Sequence, residues 1–228
     1  MDTYKRLNIP DQKNYYEDLC CLKLPECPDE LQNSSFGLKV FLELGDKKDI
    51  KSGVGRFSIA IQKCKIQFNL EGGKLPRESR IHGSEMQETV ELIVKKASET
   101  SLDPSKIAVK TVSASELKRQ KNRVSIKGSE KDPYIVFDSS PWESFKDSPP
   151  FNRSIGEVQV ESSPFILKAT VPIPLLSDLF IERKGFLNKT VMKFPGLFEI
   201  IFYNKFKEII TAQCSEVLSK VEVRYEYK

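Results

Sequence analysis

Apolar residues recur at every second position in much of this chain, the period of a β-strand with one face on a core. The pattern is uninterrupted from Phe36 to Leu44, from Phe165 to Val171 and from Val221 to Tyr227. Alternation of this kind is typical of antiparallel sheets, whose second face meets solvent. A chain of 228 residues is an ordinary length for one such unit. We therefore predict a mainly β, antiparallel, sandwich-like fold, with residues 36–228 forming a single domain.

Near the C-terminus the apolar period changes from two to three-and-four spacing, which predicts an amphipathic helix over about 198–219. A strand is predicted to follow at 221–227. A helix with an apolar face along its whole length must cover something, most simply an open face of the sheet. The apolar stripe consists of Phe198, Ile201, Phe202, Phe206, Ile209, Ile210, Cys214, Val217 and Leu218.

The segment from Val54 to Leu70 alternates with a phase shift of one residue at Gln62-Lys63. A straight strand would turn half of its apolar residues toward water, so the shift predicts a bulge there. A hairpin is predicted where Ser162-Ser163-Pro164 joins two further alternating segments. Shorter strands are predicted at Lys106 to Ser113, Arg123 to Lys127 and Tyr134 to Asp138.

Two segments have weaker patterns. Residues 86–97 fit a helical stripe through Met86, Val90 and Ile93, but also a strand through Val90, Leu92 and Val94, so both alternatives stay open. Residues 1–35 combine prolines with many charges and predict an irregular N-terminal arm.

Charge and cysteine content limit the classes of partner and compartment. The formal charge is +4, from 36 basic and 32 acidic residues, which does not by itself predict a nucleic-acid partner. No apolar run has the length of a signal peptide or a membrane-spanning helix. The five cysteines lack the paired spacing of a zinc site, which predicts reduced thiols in a cytoplasmic protein without a cofactor.

His82 is the only histidine, which excludes metal sites that need two of them. One histidine is enough for a Ser-His-Asp or Cys-His arrangement, but Ser79 to Gly83 matches no catalytic signature. The chain also lacks a phosphate-binding loop. We therefore predict no catalytic residue and no metal ligand, and an enzyme of unrecognised class remains an alternative.

Two clusters are candidate contact sites. Lys118, Arg119, Lys121 and Arg123 form the densest positive run and are predicted to lie in a solvated loop that could contact a polyanion. Trp142 and Phe145, in a proline-bounded loop, are residue types common at protein interfaces. The leading hypothesis is a non-enzymatic interaction or adaptor module with a protein partner. Polyanion or nucleic-acid binding through residues 118–123 is the alternative.

Overall fold

The computed structural model describes residues 4–7, 12–25, 27–31, 34–45, 48–52, 55–81, 88–95, 115–138, 150–184, 195–214 and 216–227. Those residues form sixteen strands and one long helix. In chain order they are β1 (Tyr4–Leu7), β2 (Lys13–Asn14), β3 (Cys20–Lys23), β4 (Glu30–Leu31), β5 (Ser35–Leu44), β6 (Lys48–Ser52), β7 (Gly55–Ile61), β8 (Lys63–Glu71), β9 (Gly73–Lys74), β10 (Glu88–Lys95), β11 (Ser115–Gly128), β12 (Pro133–Asp138), β13 (Phe151–Val160), β14 (Phe165–Pro172), β15 (Leu179–Lys184), α1 (Pro195–Cys214) and β16 (Val217–Tyr227).

The strands pair antiparallel in every ladder of the described residues. The large sheet has nine strands in the order β10-β11-β12-β8-β14-β16-β1-β4, and β2 also pairs with β16. A four-stranded sheet has the order β3-β5-β13-β9, and β15, β7 and β6 form a third. The predicted antiparallel, sandwich-like fold with a C-terminal helix and a final strand is confirmed.

The core lies between the large sheet and the four-stranded sheet. Phe36 of β5 packs edge-on against Phe165 of β14, with ring centroids 6.1 Å apart. Phe137 of β12 meets Phe151 of β13 at 6.3 Å. The alternate residues of β8 and β14 that were predicted to face a core are buried: Cys64, Ile66, Phe68, Leu70, Phe165, Leu167, Ala169 and Val171.

The phase shift at Gln62-Lys63 is a strand break, so the prediction of one bulged strand is wrong. The residues before it belong to β7 in the three-stranded sheet, and those after it belong to β8 in the large sheet. The backbone N–H of Gln62 donates to the carbonyl of Asp178 at 2.7 Å, outside either ladder. Both apolar sets still reach the same core, because Ile59 and Ile61 are buried in it together with Cys64.

The predicted hairpin through Ser162-Ser163-Pro164 is also wrong, since β13 and β14 lie in different sheets. The connection, which includes a cis Ser163–Pro164 peptide bond, crosses from one layer to the other. Gly72, between β8 and β9, packs against this connection. It has a φ of +74°, and its carbonyl accepts the N–H of Glu161 at 2.8 Å. A Cβ at Gly72 would lie 2.6 Å from the Pro164 carbonyl oxygen, so this crossing requires glycine.

Residues 88–95 form the strand β10, which settles the ambiguity over 86–97 for the described part in favour of a strand. The N-terminal segment is more regular than the predicted irregular arm. Its four short strands, β1 to β4, pair with β16, with β5 and with one another. Leu19, Leu22 and Leu31 are buried in the core. The predicted strand at 106–113 lies outside the described residues.

The helix α1 packs on the core as predicted but ends at Cys214, earlier than the predicted 219. Val217 and Leu218 already belong to β16, which begins before the predicted 221. Phe206 and Ile210 are buried in the core, whereas Ile201, a member of the predicted stripe, is 40% exposed. Among the described helices, none is both long and apolar enough to cross a membrane.

Candidate functional site

The structure does not place either of the two predicted contact clusters in a loop of the described residues. The backbone of Lys118, Arg119, Lys121 and Arg123 runs through β11, so the predicted loop is a strand, and most of this run pairs with β10. Polyanion binding by these residues stays a prediction. Trp142, Phe145 and His82 lie outside the described residues.

A different site is formed where β8 and β14 separate. Their ladder ends at the pair Gln67 and Thr170, although both strands continue. A cleft of about 240 Å³ opens beyond this pair. This apolar cleft is lined by Ile61, Lys63, Cys64, Lys65, Val171, Pro172, Ile173, Pro174, Leu175, Asp178 and Leu218.

Two prolines explain why the ladder stops. If the β8 to β14 register continued past Thr170, Pro172 would lie opposite Lys65 and Pro174 opposite Lys63. Proline has no backbone N–H, so neither could donate across the ladder. On its other side β14 stays paired with β16 as far as Pro172, and Ile173 N–H then donates to the Glu216 carbonyl at 3.4 Å.

The separation directs backbone polar groups of β8 toward the cleft. Leu70 N–H donates to the carbonyl of Lys131 at 2.8 Å, on the β12 side of β8. In an antiparallel strand the hydrogen-bonding direction alternates from residue to residue. The N–H and C=O groups of Lys63 and Lys65 therefore face the side that β14 has left.

Two paired positions lie on either side of the cleft along the strand direction. At one end stands the Gln67 and Thr170 pair, and at the other the hydrogen bond from Gln62 N–H to the Asp178 carbonyl. The Asp178 carboxylate is turned to its own loop, where Oδ2 accepts Leu175 N–H at 3.3 Å. Leu175, at the rim, is 63% exposed.

A polar groove of about 410 Å³ begins at Lys65 and runs along the outer face of the large sheet. The Lys65 Nζ atom lies 4.1 Å from the ring centroid of Tyr134, a cation–π contact. The polar groove is lined by Lys65, Gln67, Phe68, Asn69, Asp132, Pro133, Tyr134, Lys168 and Thr170. Because Lys65 lines both spaces, the apolar cleft and the polar groove are neighbouring parts of one surface.

Two ion pairs and one hydrogen bond hold the polar side chains beside this surface. Lys168 Nζ pairs with Glu71 Oε1 at 2.9 Å, and this contact raises the pKa of Lys168. Asn69 Nδ2 donates to Asp132 Oδ1 at 2.8 Å. Lys63 pairs with Asp138 at 3.3 Å. The groove thus offers amide, hydroxyl and ammonium groups in a surface-exposed arrangement.

Cys64, on the wall of the apolar cleft, belongs to a small buried thiol group. Its side chain is hydrogen-bonded to Cys20, and this contact together with burial raises the pKa of Cys64. The Ser219 hydroxyl donates to the carbonyl of Cys20 at 3.1 Å. A nucleophilic cysteine needs its thiolate form, so the neutral Cys64 thiol is suited to packing.

A second, more basic cleft of about 420 Å³ includes Arg77, Arg80 and Lys127. The Arg80 guanidinium donates to the carbonyls of Leu75, Gly128 and Ser129 at 2.6 to 3.3 Å. Burial lowers the pKa of Arg80. These hydrogen bonds connect the segment after β9 to the β11–β12 turn. Arg80 therefore stabilises the fold, and its guanidinium is already bonded to backbone carbonyls and does not serve as an anion ligand.

No pattern in the sequence indicates that the residues of the apolar cleft are neighbours in the fold. Pro172 and Pro174 mark the end of an alternating run, whereas Lys63 and Lys65 are about a hundred positions away. Only the register of β8 against β14 makes them opposite.

Within the described ranges, no three side chains of histidine, cysteine, aspartate or glutamate are grouped to hold a metal ion. We found no protein-family model that matches the chain and no curated protein with significant sequence similarity to it.

Proposed function

We propose that this chain is a non-enzymatic interaction module that binds a partner protein at the apolar cleft and the polar groove. The observation that carries the proposal is the junction of the two at Lys65. Protein interfaces commonly combine a buried apolar anchor with a polar rim. At Lys65 the apolar cleft, which would hold the anchor, meets the polar groove, which would form part of the rim.

The dimensions favour an anchor residue over a substrate. Pockets for drug-sized ligands are about 300–1,000 Å³, and the apolar cleft at about 240 Å³ is smaller. Burying one aliphatic side chain there contributes about 1.5–3 kcal/mol. The polar groove, exposed on the sheet face, fits the flanking residues of the same partner segment.

The chemistry of the cleft walls favours binding over catalysis. The Cys64 thiol is neutral because its pKa is raised. The Asp178 carboxylate already accepts hydrogen bonds from its own loop, including the Ser177 hydroxyl at 3.4 Å. General acid–base work requires a group free to exchange a proton with substrate, and the partners of these two side chains oppose that role.

Site-specific photo-crosslinking tests the proposal with a matched pair of positions. Gln67 lies in the polar groove, and Gln159 is an exposed glutamine of β13 in the four-stranded sheet. Each is replaced in turn by p-benzoylphenylalanine, and the full chain is irradiated in extracts of the organism that encodes it. We expect a discrete crosslinked protein from position 67 and none from position 159. Equal crosslinking at both positions, or none at either, would contradict the proposal.

A further inference from the structure

We propose that the partner segment is acidic and lies across the strands of the large sheet, along a row of lysines on its outer face. This rests on the proposed function and specifies the chemistry of the partner. The register of the large sheet forms the row, because it brings lysines from distant parts of the chain into one line.

The lysine row crosses six strands at positions that are paired with one another in register. In order across β11, β12, β8, β14, β16 and β2, the positions are Lys127, Tyr134, Gln67, Thr170, Lys220 and Lys13. Three of these six side chains carry an ammonium group, and none carries a carboxylate. The row is therefore positively charged along its whole length.

The side chains of the row face away from the core. Successive residues of a strand point to opposite faces, and the neighbours of Gln67 along β8, Ile66 and Phe68, are buried. Gln67 and the residues paired with it therefore point outward. Lys127, Gln67 and Lys13 are exposed, and the other three positions are half-buried. A partner can reach the row from solvent.

Lys65 adds a fourth ammonium group to the row. Its Nζ atom lies 4.1 Å from the centroid of the Tyr134 ring, which carries no charge. The Lys65 ammonium therefore lies over the β12 position of the row, between Lys127 and Gln67.

Two carboxylates of this face lie in the neighbouring row along the strands, and each has a polar or basic neighbour there. Asp132 accepts a hydrogen bond from Asn69 at 2.8 Å. Glu222 lies opposite Lys168 in register. An anionic segment on the lysine row therefore meets the ammonium groups directly and the carboxylates only at its side.

The middle of the row is uncharged and adjoins the apolar cleft. Gln67 and Thr170 form this middle, and the cleft opens beyond their pair. A segment with one aliphatic side chain in the cleft places its flanking residues over lysines on both sides. The lysines of β11 and β8 lie on one side, and those of β16 and β2 lie on the other.

The length of the row matches a short extended peptide. Neighbouring strands are about 4.8 Å apart, so six strands span about 24 Å. An extended chain advances about 3.3 Å per residue, which gives a segment of about seven residues. Complementary charge along such a segment sets its orientation and favours it over neutral partners.

The same row fits a single-stranded nucleic acid less well. Such a ligand stacks successive bases on several aromatic side chains. Among the six positions of the row, Tyr134 is the one aromatic residue. The amide of Gln67 and the hydroxyl of Thr170 can instead bond to the backbone of a peptide.

Three labelled probes test the charge of the partner. They are the C-terminally amidated heptapeptide Glu-Glu-Gly-Leu-Gly-Glu-Glu, the same peptide with glutamine in place of every glutamate, and a single-stranded oligothymidylate. Fluorescence anisotropy measures their binding to the full chain. We expect the acidic peptide to bind at least about tenfold more tightly than the glutamine peptide at low salt, because several exposed ion pairs act together. The difference should shrink at high salt, which screens exposed charges.

A matched pair of double variants locates the binding. Lys65→Gln with Lys127→Gln removes two charges from the row and should weaken binding of the acidic peptide several-fold. Lys5→Gln with Lys23→Gln removes the same charge from exposed lysines of β1 and β3, away from the row, and should leave binding unchanged. Circular dichroism verifies that both variants are folded.

Each contrary outcome overturns the proposal of an acidic partner. Equal binding of the acidic and glutamine peptides, or binding of neither, is one such outcome. Equal losses in the two double variants are another, because the attraction would then come from the net charge of the chain. Tighter binding of the oligothymidylate than of the acidic peptide is the third, because the ligand would then be a nucleic acid. Crosslinking at position 67 uses none of these probes, so the proposed function stands or falls separately.

Discussion

At the scale of single residues, Tyr225 joins the apolar core to the N-terminal segment. Its ring is fully buried and lies 5.8 Å from Phe36 and 6.0 Å from Phe165, measured between centroids. Its hydroxyl donates to the carbonyl of Pro28 at 2.7 Å. Burial raises the pKa of Tyr225, so the hydroxyl stays a donor throughout the neutral and mildly alkaline range. One side chain thus connects both sheets and the segment before β4.

We expect Tyr225→Phe to lower the free energy of unfolding by about 1–2 kcal/mol, because the partly buried Pro28 carbonyl loses its donor while the ring packing is kept. Equilibrium urea denaturation measures the change. Tyr134→Phe is the matched control, since the ring stays against Lys65, and it should change the free energy by less than about 0.5 kcal/mol. Equal losses in the two variants would contradict the role assigned to the Tyr225 hydroxyl.

Cys27 makes the stability of the chain sensitive to alkaline pH. Burial raises the pKa of this thiol to about 11 from its ordinary 9.0. The folded chain therefore holds the proton more tightly than the unfolded chain, and the resulting stabilisation is present below pH 9 and lost as the pH rises through 11. We expect the wild type to lose about 2 kcal/mol relative to Cys27→Ala between pH 8 and pH 11.

Urea denaturation of both chains at the two pH values measures this difference, and groups that titrate in both chains cancel. A constant difference would mean that the Cys27 thiol is hydrated in the folded state.

At the scale of elements, the helix α1 has a buried side and an exposed side, and we expect the two to contribute differently to the free energy of unfolding. Phe206 is buried in the core, and Tyr203 donates its hydroxyl to the Pro174 carbonyl at 3.2 Å, beside the apolar cleft. Ile200 is 48% exposed. The helix therefore supports the loop that forms one wall of the cleft.

We expect Phe206→Ala to lower the free energy of unfolding by about 3–5 kcal/mol, the usual cost of removing a buried aromatic side chain. Ile200→Ala, a similar truncation on the exposed side, should change it by less than about 0.5 kcal/mol. Thermal and urea unfolding measure both. A large loss for Ile200→Ala would indicate that this side of the helix is covered.

The apolar period of this chain predicts where strands form but not which sheet each strand joins. Alternation predicted β5, β14 and much of β8 because burial on one face leaves a period of two. Strands of either sheet have the same period, so the pattern does not reveal that the chain changes sheet at Gln62 and again at Ser162 to Pro164. Val217 and Leu218 fit both a helical and a strand period, which displaced the predicted end of the helix.

The N-terminal strands and the candidate site depend on information that no local pattern contains. Strands of two to four residues, such as β2 and β4, are too short to show a period. The apolar cleft depends on the β8–β14 register, which would place Lys65 opposite Pro172 if the ladder continued past Thr170. That register is set by packing across the whole sheet.

At the scale of the whole molecule, the described N-terminal and C-terminal strands are neighbours. Tyr4 pairs with Tyr227 and Leu7 with Arg224 in the ladder of β1 and β16. β16 is an interior strand, bounded by β14 on one side and by β1 and β2 on the other. Because these partners are far apart in sequence, closing the large sheet requires contacts of high sequence separation, which is typical of slow-folding β proteins.

This topology predicts that residues 198–228 cannot be removed without loss of the folded state. Their deletion takes away β16 and most of α1, which leaves β14 with an unpaired edge and β1 and β2 without their ladder partner. Phe165 and Leu167, now buried beside β16, would face water, and an exposed apolar strand edge promotes aggregation. We expect the truncated chain to be insoluble when the full chain, expressed in parallel, is soluble. A soluble truncation with a cooperative thermal transition would mean that the sandwich closes without β16, and the interior position of that strand would then contribute little to stability.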